Sequence, residues 1–557
     1  MKYFKIYVSY SAMQIIVIII LSTFWATSYG TSDDWILDSW LNSNYTGEFE
    51  KESVFVTAIF SISISYLYSL KLGIAWYSII LMSLSFYSII HWLTISTQNN
   101  ILRKKYIPIF INFCAATIFL IWIYFEITFT STAIICALVG LSSLIMAQIN
   151  MHNTKINMYS GYSLILIAYI IRPESLIPVI VLFTPLIIYL AKRTKKISIR
   201  KVFYLTPILI LSITIILNKY LENNQSKEMQ QYRTFVYNVQ LFSDRPRLVN
   251  ILNELDRAKW SANEYHMFSD MIYFDKNIFN NRWLQDGIVA TNYNYQSIIQ
   301  GLQDFKYIWG KYSLNTQYLF PTFLGAIIYT LFLYKRKWQK SWILFIFSTI
   351  AIVIGIHLYM GIFLHNVPRV SIPLLFGLLI TLNSNWQDLS INREYNRFKS
   401  IFLFLYCVCI LITINNLNNY KNISNKKITN SIATSNAIEK EYPKKVILIP
   451  GRLEFNQMRN PYLYLDYDPN PNVMTIGNWD TFSPQWNKRL LNLNLDSENL
   501  ADNILRESNI LWSSTDYPDI KSHILDFYNE HGYGIYKFNK IGTLPNETFL
   551  HYIDKLK

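Results

Sequence analysis

The chain has 557 residues, of which 52% are hydrophobic and 16% aromatic. Only 15% are charged, with a net charge of +14. A soluble chain carries roughly a quarter charged residues, and here the shortfall is concentrated in apolar blocks long enough to cross a hydrocarbon core. The basic residues fall in short clusters between blocks: Lys192, Arg193, Lys195, Lys196, Arg200 and Lys201 form one, and Lys335, Arg336, Lys337 and Lys340 another. This is the patterning of cytoplasmic membrane loops, and it points away from a nucleic-acid binder.

In chain order, the first block runs from about residue 11 to 27. It reads as an uncleaved span with a cytoplasmic amino terminus, although Ala26-Thr27-Ser28 is weakly cleavage-like. Further candidate spans cover 53–70, 73–95, 107–125, 128–150, 158–171, 174–191, 202–218, 316–334, 341–363, 370–383 and 399–417. They should be helices, because lipid offers no partner for a free backbone amide. With 192–201 inside, the second half alternates consistently, and the carboxy-terminal region falls outside. In the first half the count to Lys192 fails by one. Either 53–70 lies flat or re-enters, or 158–191 crosses once as a helix broken at Pro173, so 11 or 12 spans are expected.

Four units follow: a transmembrane module at 1–218 with an acidic first external loop at 28–52, an extracytoplasmic loop domain at 219–315, a second transmembrane module at 316–417, and an extracytoplasmic α/β domain at 418–557. In the last unit, Lys444 to Ile449 has strand composition, Ser497 to Glu507 helical spacing, and Ile510-Leu511-Trp512 reads as a second strand. The Asn- and Lys-rich run from Asn415 to Asn430 reads as a linker. Cys114, Cys136, Cys407 and Cys409 all sit in apolar blocks and read as buried small hydrophobes.

The strongest chemical signal is Thr31-Ser32-Asp33-Asp34-Trp35, just past the first span, continued by Tyr45-Thr46-Gly47-Glu48. Paired carboxylates beside a bilayer are costly to place there and generally have a task. One can accept a proton from a hydroxyl while the other orients it or holds a divalent cation. The bland reading is that Asp33 caps a short helix.

This arrangement resembles the GT-C superfamily of membrane glycosyltransferases, which use polyprenyl-phosphate sugars and carry an acidic motif in the first external loop. A narrower resemblance is to a poorly characterised multi-pass family of Gram-positive bacteria. It rests on Asp33-Asp34-Trp35 with Tyr45-Thr46-Gly47-Glu48, Gly73-Ile74-Ala75-Trp76-Tyr77, Arg172-Pro173-Glu174, Trp260-Ser261-Ala262-Asn263-Glu264-Tyr265 with Phe274-Asp275, and Val367-Pro368-Arg369-Val370. Ala75 and Glu264 stand where that pattern has Asn and Asp. The GT-C resemblance implies a cell-membrane enzyme with an Asp33 or Asp34 base, a polyprenyl-phosphate sugar donor and a cell-envelope glycan acceptor.

Arg369 is the first candidate for holding the donor phosphate, because a guanidinium can balance the charge of a departing phosphate. Arg172 can do the same, or pair with Glu174. His365 could assist, or be a surface residue at a helix end. Glu48, Trp260 and Tyr265 are candidates for acceptor binding, since aromatic rings stack on sugars. Trp and Tyr near a bilayer also serve as interfacial anchors. No nucleotide-binding Gly-rich loop, HExxH or nucleophile elbow occurs. The reading is therefore an α-helical polytopic membrane glycosyltransferase with an extracytoplasmic α/β domain. The alternatives are a polysaccharide polymerase, a lipid-linked glycan transporter, or a non-enzymatic envelope scaffold.

Overall fold

The computed structural model describes residues 2–22, 27–101, 106–149, 154–194, 205–243, 255–256, 258–291, 322, 324–328, 340–363, 368–383, 396–451, 460–464, 472–514 and 518–556. In its first half the elements are α1 (Lys2–Ser22), β1 (Ser28–Tyr29), α2 (Ser32–Leu41), α3 (Ala58–Ser69), α4 (Trp76–Ile101), α5 (Tyr106–Phe125), β2 (Glu126–Ile127), α6 (Phe129–Ile149), α7 (Thr154–Ile171), α8 (Leu176–Thr194) and α9 (Leu205–Asn223). Among the described residues, α4, α5, α6 and α8 are long and apolar enough to cross a membrane. So is the later helix at Lys340–Phe363. The fold is that of a polytopic helical membrane protein carrying a separate sheet domain.

Side-chain contacts give the helix directions. Ser85 of α4 bonds Thr132 of α6, and Ser88 lies beside Cys136, so these two helices run parallel. Tyr87 bonds Ser160 and Gly140 abuts Gly161, so α7 runs back against both. The close approach of α6 and α7 requires glycine at both positions. A Cβ on either would lie 2.9 Å from the other's carbonyl oxygen, the small-residue contact that lets membrane helices pack backbone to backbone.

Between α7 and α8, Pro173–Ser175 form a single 3-10 turn, with Arg172 in extended backbone before it. Pro173 cannot continue the ladder of α7, and the chain reverses there. Arg172, just before α8, reaches Thr130 at the start of α6, and further along Leu138 of α6 and Leu182 of α8 meet at the same glycine, Gly377, so α8 runs parallel to α6. The stretch 158–191 is thus two antiparallel helices. Segment 53–70 behaves differently. Its helix, α3, has 12 residues, about 18 Å at 1.5 Å per residue, too short for a core of about 30 Å. Thr57 donates to the Ile170 carbonyl at the end of α7, while the Tyr68 hydroxyl accepts from Tyr77 N at the start of α4. Both ends of α3 therefore lie at one end of the bundle, and α3 runs across it. Of the two ways to restore the count in the first half, the flat segment is the one found.

The second half adds α10 (Lys227–Ser243), α11 (Ala262–Ser269), α12 (Asn281–Ala290), α13 (Lys340–Phe363), α14 (Pro368–Asn383) and α15 (Asn396–Glu441). Most of block 316–334 lies outside the described residues. The expected linker at 415–430 is instead the middle of the 46-residue helix α15. From Thr413 on, its buried positions Thr413, Leu417, Ile428, Ser431, Thr434 and Ile438 recur at helical spacing. Half of them are polar, which is why the stripe does not read as amphipathic in sequence.

The carboxy-terminal unit comprises β3 (Val446–Pro450), β4 (Val473–Ile476), α16 (Pro484–Asn492), α17 (Leu500–Arg506), β5 (Ile510–Ser514), α18 (Pro518–Glu530), β6 (Tyr536–Thr543) and β7 (Phe549–Lys555). The sheet order is β4-β3-β5-β7-β6, with β3, β4 and β5 parallel and β7 antiparallel to both neighbours. The strands expected at 444–449 and 510–512 are β3 and β5, and the helix expected near 497–507 is α17. The cysteines are all free thiols.

Replacing Gly161 with Leu should separate α6 from α7 and cost about 1–3 kcal/mol, the usual range for overpacking. A thermal-melting measurement in detergent checks this, with Gly355→Leu as control, since nothing lies within 4 Å of a Cβ at that position.

Candidate active site

The site is assembled at the end of the bundle where α3 lies. The residues just before α6 pair with β1: Ser28 and Tyr29 register with Glu126 and Ile127 in parallel, and Gly30 N donates to the Ile127 carbonyl at 3.1 Å. This sets the start of α2 beside the start of α6. Thr31 is the N-cap of α2 and accepts from Asp34 N. The cap is therefore Thr31 and not Asp33, leaving both aspartates in the first turn, where the helix dipole favours negative charge.

Neighbouring residues on a helix point about 100° apart, and the two aspartates separate accordingly. Asp34 is completely buried. Its Oδ1 accepts from the Tyr77 hydroxyl at 2.7 Å and from Phe129 N at 2.8 Å, and its Oδ2 from the Thr31 hydroxyl at 2.6 Å. Burial pushes its carboxyl up to about 6, against the opposing pull of those donors and of Arg369. Asp33 turns the other way, and its Oδ2 accepts from Arg369 Nη1 at 3.1 Å. The Arg369 side chain is 22% exposed and that of Asp33 10%, so this pair faces accessible space where Asp34 does not.

Arg172 completes the cluster. It lies within electrostatic reach of Arg369, Asp33 and Asp34. It donates to Thr130 Oγ1 at 2.6 Å, its guanidinium sits 5.2 Å from the Phe129 ring centre, and exposed Glu174 is 3.8 Å away. The Ser131 hydroxyl donates to the Arg369 carbonyl at 3.0 Å. Phe129, Thr130 and Ser131, the first residues of α6, therefore hold Asp34, Arg172 and Arg369 in turn. These three carry no motif, and sequence reading passed over them. The one available clue was a polar run, Thr128 to Thr132, at the head of an otherwise apolar block.

A second buried carboxylate lies further along α2. Asp38 accepts from the hydroxyls of Tyr29 and Tyr68, and burial raises it to about 6 as well. The Asp33–Asp34 pair does not fit a divalent cation. Both oxygens of Asp34 are engaged by donors, two at Oδ1 and one at Oδ2, Asp33 is engaged by Arg369, and among the described residues no group of three His, Cys, Asp or Glu side chains could hold a metal ion.

The remaining sequence candidates lie elsewhere. Glu48 is exposed and pairs with Lys488 of α16 at 3.0 Å, beside Glu50 at 2.9 Å. Trp260 is 4% exposed and stacked on Trp283 with ring centres 3.4 Å apart. Tyr265 is buried against Phe242. The packed faces of these rings are occupied by protein. Ser261 and Glu264 form a capping box on α11, Glu264 meets His531 at 3.3 Å, and Asn263 bonds His523 at 2.8 Å. The 260–265 motif therefore fastens the segment that carries α11 to α18 of the sheet domain. His365 lies outside the described residues.

No family model and no curated protein matches the sequence. Among solved structures, the crystal structure of ArnT from Cupriavidus metallidurans in the apo state aligns over 98% of this chain and 98% of its own, with 9% identity and a TM-score of 0.40. A similarity of that size transfers no residue role.

Asp34→Ala would strand the buried Tyr77 hydroxyl and Phe129 amide, and should cost about 3–5 kcal/mol. Asp34→Asn keeps an acceptor for both and should fold. Burial raises Asp34 and Asp38 from 3.8 to about 6, so the folded state holds these protons more tightly than the unfolded chain. Their contribution to stability is full below 3.8, is lost as pH rises to about 6, and is constant above. Melting temperatures between pH 4 and 7 should show this slope, reduced in Asp34→Asn and Asp38→Asn.

Proposed function

We propose that the protein is a membrane glycosyltransferase that moves a sugar from a polyprenyl-phosphate donor to a cell-envelope glycan or lipid acceptor on the outer face. The observation that carries this reading is the ion pair of Asp33 with Arg369 beside Arg172, at the end of a helical bundle. It joins a carboxylate able to take a proton to two guanidiniums able to hold a phosphate. With one oxygen engaged by Arg369, Asp33 is the base. Asp34, buried and fully bonded, is a positioning residue.

In the resting site Arg369 is paired with Asp33. An arriving lipid phosphate competes for the guanidinium, which can grip phosphate in a bidentate fashion. Partial release of Asp33 would then coincide with donor binding. The acceptor hydroxyl gives its proton to Asp33 as its oxygen bonds to the anomeric carbon. The bond from that carbon to the phosphate oxygen breaks, and the electron pair leaves on the phosphate. Arg369 and Arg172 stabilise the charge that appears there. Attack from the face opposite the leaving group inverts the anomeric centre.

The orientation follows from charge. Arg103, Lys104 and Lys105 lie in the connection between α4 and α5, and Lys195, Lys196, Arg200 and Lys201 in that between α8 and α9. Both connections join helices at the end opposite Asp33. The positive-inside rule makes that end cytoplasmic, which puts the amino terminus inside and the site and sheet domain outside. Eleven crossings satisfy the count if 316–334 spans.

Asp33→Asn should reduce transfer by about 10²–10⁴-fold, the usual contribution of a general base, and Arg369→Lys by about 10²–10³-fold. Both should leave the protein in the membrane. Envelope glycan composition in cells carrying each variant reads this out. Undiminished modification with Asp33→Asn would favour a polysaccharide polymerase or lipid-linked glycan transporter instead. For the topology, a cysteine at exposed Asn529 should react with a membrane-impermeant maleimide in intact cells, and protection there would reverse the orientation.

A further inference from the structure

A cleft of about 1020 Å³ lies between the first external loop and the sheet domain, sharing no lining residue with the Asp33–Arg369 cluster. One wall is Tyr45 and Phe49, and the opposite wall is Arg489 and Asn492 of α16 with Tyr464. Lys71 and Gly73, in the turn between α3 and α4, form the rim. Both have left-handed backbone, φ 52° and 67°, a conformation that costs a lysine energy and is kept where the surroundings impose it. At Gly73 nothing lies within 4 Å of where a Cβ would be, so the turn faces open space.

The cleft is suited to a saccharide. Its volume is at the upper end of small-ligand sites, about 300–1,000 Å³. Its lining combines aromatic rings with amides and hydroxyls, and among its described lining residues there are two cations, Lys71 and Arg489, and no carboxylate. The walls are fixed. Arg489 lies 4.6 Å from the Tyr45 ring centre and donates to the Tyr45 carbonyl at 3.0 Å, and the Tyr45 hydroxyl donates to buried Asp480 at 2.5 Å. Packed side chains link the cleft wall to the buried face of α2. Tyr464 stacks on Tyr68 with ring centres 6.1 Å apart, Tyr68 donates to Asp38 at 2.6 Å, and Asp38 is about one helical turn from Asp33 and Asp34.

We propose that this cleft binds the acceptor: a saccharide chain bearing an acidic group, phosphate or carboxylate, which Lys71 and Arg489 attract. The assignment to the acceptor rests on the transferase reading above. The saccharide chemistry rests on the cleft alone.

The test uses the full-length protein in cells, with the photo-crosslinker benzoylphenylalanine placed at Leu493, a lining residue, and at Leu463, an exposed neighbour outside the cleft. Mass spectrometry of the Leu493 adduct should show sugar fragments together with a phosphate or uronate mass, which distinguishes the two acidic groups. At least tenfold fewer adducts should form with Lys71→Glu or Tyr464→Ala. Asp33→Asn should leave them undiminished, since Asp33 does not line the cleft. Absence of adducts, adducts without sugar, or equal labelling at Leu463 would overturn the proposal, as would insensitivity to both cleft variants. Sugar adducts at Leu493 with envelope glycans unchanged in Asp33→Asn would refute the transferase reading and leave the cleft a glycan site.

Discussion

The start of α6 is the constraint on which the site depends. A helix start leaves backbone amides without partners inside the helix, and here the amide of Phe129 is answered by Asp34, a carboxylate from another helix. Asp34 in turn collects the hydroxyls of Tyr77 from α4 and Thr31 from the cap of α2. One fully buried side chain thus fixes the relative positions of α2, α4 and α6. With Asp34 pinned inward, helical geometry turns Asp33 toward Arg369. Thr130 and Ser131 then steady the two arginines from the same turn. Burying a carboxylate is costly, and three donors offset that cost only in a single arrangement, so the site is rigid at its root.

Much of this was legible in the sequence, for reasons that differ by residue. Asp33, Asp34 and Arg369 stood out because charge beside a bilayer is rare, and parity of the spans placed them on one face. Sequence could not tell the two aspartates apart, since their difference lies in which one meets residues nearly a hundred positions away. Thr130 and Ser131 gave only the faint signal of a hydroxyl-rich stretch at the head of an apolar block, because hydroxyls at helix starts are commonplace. Trp260 and Tyr265 were misleading in the opposite sense: large aromatics suit a sugar, but they suit a protein core equally well. Segment 53–70 had the composition of a span, and only its short helix and the contacts at both ends show that it lies across the bundle.

The scattered signatures divide between two tasks. Asp33-Asp34, Arg172 and Arg369 build the charged cluster. The 260–265 motif and Phe274-Asp275 attach the sheet domain, Phe274 by packing against Trp512 and Phe527 and Asp275 through Tyr533 at 3.4 Å. The Tyr45 loop joins both tasks, since it leaves α2 and ends against α16. The sheet domain is therefore held from two directions, by the loop between α2 and α3 and by α10 to α12. The Tyr232 and Tyr273 hydroxyls donate to the carbonyls of Trp479 and Asn478.

Helix α15 adds a mechanical condition. Its 46 residues extend about 69 Å at 1.5 Å per residue, more than twice the thickness of a hydrocarbon core. A continuous helix transmits rotation as well as height. Loss of one residue from its carboxy-terminal half would shift the sheet domain by about 1.5 Å and swing it by about 100°, carrying α16 and α18 away from their partners in the loop between α2 and α3 and in α10 to α12. The length of this rod is therefore less free to change than its polar, Asn-rich surface composition, and insertions or deletions in it are the lesions the architecture is least able to absorb.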